Sequence, residues 1–165
     1  MKLFHKSHDG GKNSGVTGYW LIEWKSGFSI VVLRFSKGTR EAFHSHAFNA
    51  LTWWLKGSVT EAFPGTAETI KWRPSIFPKF TPKYNIHKII ADDVSWAISF
   101  RGPWDRTWQE QENGIQTTLT HGRLVVDQRA LYWRIFTFAR FAGRTFFRMV
   151  TRGRRYSLTA RLPRW

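Results

Sequence analysis

Between Tyr19 and Phe100 the chain is a succession of short runs rich in β-branched and aromatic residues, at 19–25, 28–35, 42–55, 58–63, 68–73, 86–90 and 94–100. Ser26-Gly27, Lys37-Gly38, Lys56-Gly57 and Pro64-Gly65 punctuate them, and glycine in such pairs supplies backbone conformations that end a strand and turn the chain. No helical period intervenes. Many short strands without helical crossovers predict an all-β sandwich or barrel. The segment GPWDRTWQEQENG at 102–114 reads as irregular, with weaker strand candidates following at 115–120 and 123–126. Residues 1–17, rich in Gly, Ser, Asn and Asp from position 5 onward, read as a flexible N-terminal arm.

Charge divides the chain a second way. The formal net charge is +15, yet residues 129–165 hold ten arginines, no lysine and no acid. All ten lysines and all eleven acids lie before that point. A domain edge at Asp127–Arg129 therefore separates a mildly basic barrel at 18–128 from an extension at 129–165. Cysteine is absent, which excludes disulfides, thiolate metal sites and a cysteine nucleophile. The residues after Met1 lack the apolar core of a secretory signal. No stretch of 18 residues is free of charge, as a spanning helix requires. A cytoplasmic protein is the expectation.

The stretch with most chemistry is GTREAFHSHAFNALTWWLKG, from Gly38 to Gly57. On a strand, residues two apart share a face, so His44 and His46 point the same way and can offer two imidazoles to one ion. Phe48, Ala50, Thr52 and Trp54 have the same parity if the strand is continuous, whereas Glu41 and Asn49 have the opposite one. His87, in PKYNIHKII, lies in a later β-type run that barrel closure could bring alongside. His5 and His8 fall in the arm, and His121 in TLTHGR suits a cap or the surface.

This spacing resembles the first motif of the cupin superfamily, G-x5-H-x-H-x3-E-x6-G. Gly38, His44, His46 and Gly57 are in register, and Ala50 stands where the glutamate belongs. The second motif, G-x5-P-x-G-x2-H-x3-N, is partly kept. Pro82 and His87 are correctly separated, while Ile76, Tyr84 and Ala91 replace its glycines and asparagine. The resemblance covers about residues 18–101. It implies a double-stranded β-helix barrel with His44, His46 and His87 as metal ligands, lacking the usual carboxylate. Three neutral imidazoles resemble the site of the thiol dioxygenases in that superfamily, which favours Fe(II); zinc and nickel also suit imidazole. An oxygenase follows from that resemblance, and so does a degenerate cupin that only binds a ligand or builds an assembly.

Three further residues are candidates for substrate binding. Trp54, by parity, faces the barrel interior, where an indole either stacks on a flat ligand or fills core. Tyr84 lies between Pro82 and His87. Arg101 ends the 94–100 run, where a guanidinium could hold a carboxylate or phosphate through paired donors. SFRGPWDRTWQE, followed by TLTHGR, resembles uncharacterised cupin-like proteins encoded by bacteriophages. That resemblance implies a viral origin, with the host cytoplasm or the virion as location.

In the extension, Arg140, Arg144, Arg148 and Arg152 recur every fourth residue, lining one side of a helix. Leu131, Ile135, Phe138, Ala142 and Met149 take another side, predicting a basic amphipathic helix over 130–150. Such a segment suits nucleic acid, through arginine–phosphate pairs and aromatic stacking. It equally suits an anionic membrane surface, or docks its apolar side on the barrel or a partner. Cupins are often dimers, which adds a homodimer to the expected partners.

Overall fold

In a computed structural model of the chain, the described residues are 1–11, 14–39 and 42–131. They form fourteen strands, one 3-10 turn and no α-helix. Strands β1 (Lys2–His8), β2 (Val16–Glu23), β3 (Ser29–Phe35), β6 (Ala50–Lys56), β9 (Lys79–Thr81) and β11 (Ser95–Arg101) make a six-stranded sheet in the order β1-β2-β3-β11-β6-β9. A second sheet runs β4-β10-β7-β8, from β4 (Gly38–Thr39), β7 (Val59–Ala62), β8 (Thr69–Trp72) and β10 (Lys88–Ala91). A third runs β14-β13-β12-β5, from β5 (Phe43–His44), β12 (Thr107–Glu112), β13 (Ile115–Thr120) and β14 (Leu124–Ala130). The expected all-β class is what these residues adopt. The chain divides into two compact units, Met1–Arg129 and Ala130–Trp165; the predicted helix, with Arg140, Arg144, Arg148 and Arg152, lies outside the described residues.

Alternation decides which side of each strand is inside. Along β3, Ser29, Val31, Leu33 and Phe35 are buried and the residues between them are half-buried. On its neighbour β11 the inward row is Ser95, Ala97, Ser99 and Arg101. The first three are small, and Ala97 packs in one cluster with the indoles of Trp20 and Trp54. Trp20, Val31, Leu33, Phe35, Trp54, Val59, Ala91 and Ala97 form the main core cluster, and each side chain of Val, Leu or Phe size contributes roughly 1.5–3 kcal/mol on burial.

Two expectations about local structure are corrected. Residues 2–8, expected within a flexible arm, form β1, which pairs along its length with β2 from Lys2↔Glu23 to His8↔Thr17. Its side chains are nearly all exposed, so no apolar pattern marks it; the backbone ladder to β2 holds it. Residues 107–112, expected to be irregular, form β12 and pair with β13. The polar run TWQEQE carries little apolar alternation, and the Asn113-Gly114 turn, with both residues at positive φ, closes the hairpin.

The run at 42–55 is one strand in the sequence and two in space. β5 pairs with β12 in the third sheet, and β6 pairs with β11 and β9 in the first. Residues 45–49 carry the chain from one sheet to the other. Both motif glycines have positive φ, Gly38 at 111° and Gly57 at 79°, which explains glycine there. At Gly57 a Cβ would also lie 2.4 Å from Ser95 Oγ, so the β6–β7 turn packs directly on β11.

Candidate metal centre

The backbone brings the histidines together before their side chains do. His44 and His87 form an antiparallel bridge, with His44 N–H donating to His87 O at 2.8 Å and His87 N–H to His44 O at 3.1 Å. His46 N–H donates to Lys83 O at 2.9 Å, which fixes the next turn of chain against the segment leading to His87. The three rings then sit with centroids 5.0, 5.1 and 5.3 Å apart. Their ligating nitrogens all lie within 4.8 Å of one another, and His46 Nε2 and His87 Nε2 converge to 2.9 Å. Two imidazoles on one ion at about 2.0–2.1 Å can be at most about 4.2 Å apart. The grouping fits a single divalent ion after small side-chain adjustments. Among the described residues it is the one group of three or more potential ligands.

The rings are prepared for that task electrostatically. Burial pushes the His46 imidazole well below the usual histidine range, and the neighbouring His44, His87, Arg101 and Lys79 push it further the same way. His46 is therefore neutral at neutral pH, the form that ligates a metal. His87, 3% exposed, hydrogen-bonds through Nδ1 to Glu61 Oε1. Glu61 is 1% exposed and also accepts from Lys79 Nζ at 2.5 Å and Trp72 Nε1 at 2.7 Å. Burial alone would raise the Glu61 carboxyl, but the hydrogen bonds and charges of His87 and Lys79 hold it down at about 2. Burial lowers the Lys79 ammonium, and Glu61 partly restores it.

A cavity of about 450 Å³ opens beside the histidines, lined by all three and by Trp20, Phe48, Trp54, Lys79, Arg101 and Trp104 among others. Trp54 is buried, packs on Phe35 at 5.3 Å between ring centroids and lines the cavity. Arg101 also lines it. The guanidinium is clasped between Trp20 and Phe48, 5.0 and 4.6 Å from their ring centroids, and donates to both carboxylate oxygens of Asp9 at 3.3 and 2.6 Å. Tyr84, expected near the site, is 78% exposed and is not part of the cavity lining. It sits in the turn closed by the Asn85 N–H to Pro82 O bond, which turns it toward solvent. His121 lies at the cavity edge against Trp104, with ring centroids 6.0 Å apart.

Glu61, Lys79 and Asp9 were not foreseen from the sequence. Glu61 had a readable signal: in the run at 58–63 it shares the parity of Val59, which is fully buried, and a carboxylate in an inward row needs a partner. Asp9 had none. It meets Arg101 across 92 positions.

No protein-family model matches the sequence, and no curated protein does. Solved structures similar to the chain include three at TM-scores below 0.5. KdgF from Halomonas sp. is 16% identical, covering 58% of this chain and 88% of that one, with a TM-score of 0.45. A cupin superfamily protein from Desulfitobacterium hafniense DCB-2 is 17% identical over 58% of this chain and 83% of its own, also at 0.45. Ectoine synthase from P. lautus is 16% identical over 56% and 67%, at 0.47. No helix among the described residues is long and apolar enough to cross a membrane.

Proposed function

We propose that this cupin-like protein binds a divalent transition metal through His44, His46 and His87 and acts as an iron-dependent oxygenase on a small acidic substrate. The observation that carries the reading is the convergence of three buried or half-buried imidazoles on one wall of a cavity. A bound metal supplies Lewis acidity and, if it is iron, one-electron chemistry with dioxygen. The protein's part is binding, orientation and exclusion of water. Three neutral ligands leave the ion's full positive charge, which favours an anionic substrate beside it.

Arg101 is the residue proposed to orient that substrate. Its fork is held by Asp9, so a substrate carboxylate takes the Asp9 position in exchange. Arg101 Nε, Trp54 Nε1 and Trp104 Nε1 are buried donors without a hydrogen-bond partner among the described residues, all on cavity-lining residues. Donors of that kind suit an oxygen-rich ligand. Trp54 and Phe35 supply the apolar wall. Zinc or nickel would occupy the same nitrogens without the redox step.

One observation favours a second reading, that of a non-catalytic ligand-binding or structural cupin: Ala50 stands where the motif has its ligating glutamate. In that reading the arginine-rich extension makes the contact, with nucleic acid, an anionic membrane or a partner protein, and a virion component of phage origin is the setting. Elemental analysis after anaerobic purification with iron supplied separates the two. The first reading expects one metal ion per chain, lost in His44→Ala. Metal-free protein under those conditions ends it.

A further inference from the structure

We infer that Glu61 is a positioning residue for the metal site, fixing the proton of His87 on Nδ1, and that Lys79 cancels its charge so the bound ion keeps its own. The inference rests on the metal-binding reading above and extends it to two residues that touch no ion.

The first half follows from hydrogen-bond chemistry. An ionised carboxylate only accepts, and both oxygens of Glu61 already face groups that can only donate, Lys79 Nζ at Oε1 and Trp72 Nε1 at Oε2. The Nδ1 of His87 facing it therefore carries the proton, and a neutral His87 then presents a lone pair at Nε2. That is the nitrogen converging with His46 Nε2 at 2.9 Å. Histidine ligands commonly donate their second nitrogen to a carboxylate, which sets tautomer, ring angle and basicity. The carboxylate missing at position 50 is thus not absent from the site. It stands behind His87, on β7, instead of beside the ion.

The second half follows from placement. Glu61 comes from the second sheet and Lys79 from the first, where it pairs with Thr52. Both are almost fully buried. A carboxylate alone behind His87 would lend the ion negative charge through the imidazole. Lys79 removes that contribution while leaving the hydrogen bond in place. Trp72 Nε1, on the second carboxylate oxygen at 2.7 Å, fixes the carboxylate plane. An ion held by the three histidines would keep its full charge toward the cavity, which is what recruitment of an anion requires.

A buried ion pair that only tied the two sheets together would behave differently from this one, and variants separate the cases. Affinity for Zn(II) or Co(II) alone is measured by chelator competition at about pH 8, where imidazoles are neutral. The tautomer of His87 is read by nitrogen NMR in the metal-free protein. Glu61→Gln should weaken binding roughly 10–100-fold and shift the His87 proton from Nδ1 toward Nε2. Lys79→Met should strengthen binding, because the uncancelled carboxylate now assists the ion. Opposite signs are the signature, since loss of a structural tie would weaken binding in both. The double variant Glu61→Gln/Lys79→Met leaves no buried charge unpaired, and it carries the test if Glu61→Gln does not fold. Unchanged affinity within about twofold and an unchanged tautomer in these variants would overturn the inference. A wild-type chain that binds no metal would instead defeat the functional reading, and the His87 tautomer would then decide the role of Glu61 by itself.

Discussion

The two buried charge pairs that line the cavity solve the same electrostatic problem with different materials. In the first pair, the buried carboxylate is Glu61, placed mid-strand on β7 with sheet partners on both sides. In the second pair, the buried charge is Arg101, 5% exposed at the last position of β11. Its partner Asp9 follows β1 directly, and the Asp9 side chain is 28% exposed. One partnership is built into the frame. The other joins a rigid cation, clasped by Trp20 and Phe48, to an anion that water already reaches. The comparison teaches which contact a ligand can replace. An incoming carboxylate can take the place of Asp9 on Arg101, but nothing from solvent can take the place of Glu61 on His87.

The largest break of that contrast is Glu61→Ala. It strands the Lys79 ammonium in the core and should destabilise the fold by about 3–5 kcal/mol, the usual cost of removing one partner of a buried pair. Urea denaturation checks it, and a loss below about 1 kcal/mol would show that water reaches Lys79. Asp9→Ala should cost less, roughly 1–3 kcal/mol, because Asp9 itself is partly in water although the Arg101 guanidinium it leaves is buried. It should also tighten binding of a small monocarboxylate such as acetate, by roughly tenfold if the exchange releases one charge-assisted hydrogen bond. Calorimetric titration reads this, and Arg101→Met serves as the non-binding control. Equal acetate affinity with and without Asp9 would mean that Arg101 is not the docking point.

The smallest effect belongs to Asp92, which extends the comparison to a carboxylate about one-third exposed, 33%. It accepts from Ser58 Oγ at 2.7 Å and Thr60 Oγ1 at 3.3 Å, and pairs with Lys71 at 3.0 Å. The Ser58 and Lys71 hydrogen bonds hold its carboxyl below the usual aspartate value. A depressed folded-state value makes its stabilisation present above the unfolded value, and it fades as pH falls through the lowered one. The melting temperature of Asp92→Asn should therefore sit slightly below wild type at neutral pH, with the gap closing in acid. A gap that is constant with pH would assign the difference to packing instead.

Much of the site was legible in one dimension. The spacing of Gly38, His44, His46 and Gly57 named two of the three imidazoles and the two turns that flank them, because strand parity and positive φ are local properties. His87 was legible only through its distance from Pro82. Trp54 was readable as inward by parity even though its strand is broken at residues 45–49, since the break preserves the side. Where reading failed, the local pattern was silent. β1 and β12 are too polar to alternate visibly, and their strand state comes from pairing with β2 and β13. Tyr84 occupies a motif position, but a turn points it outward.

By itself, then, the sequence determined the all-β class, the histidine pair and the concentration of most of the net positive charge in residues 129–165. These depend on composition and on periods of two residues. Only the tertiary structure decided what stands behind those histidines and what pairs with Arg101 in the same cavity wall. Glu61 meets Lys79 across 18 positions and His87 across 26, and Asp9 meets Arg101 across 92. A carboxylate's partner is chosen by which strands are neighbours, and strand order is a property of the closed sheets that no local pattern contains.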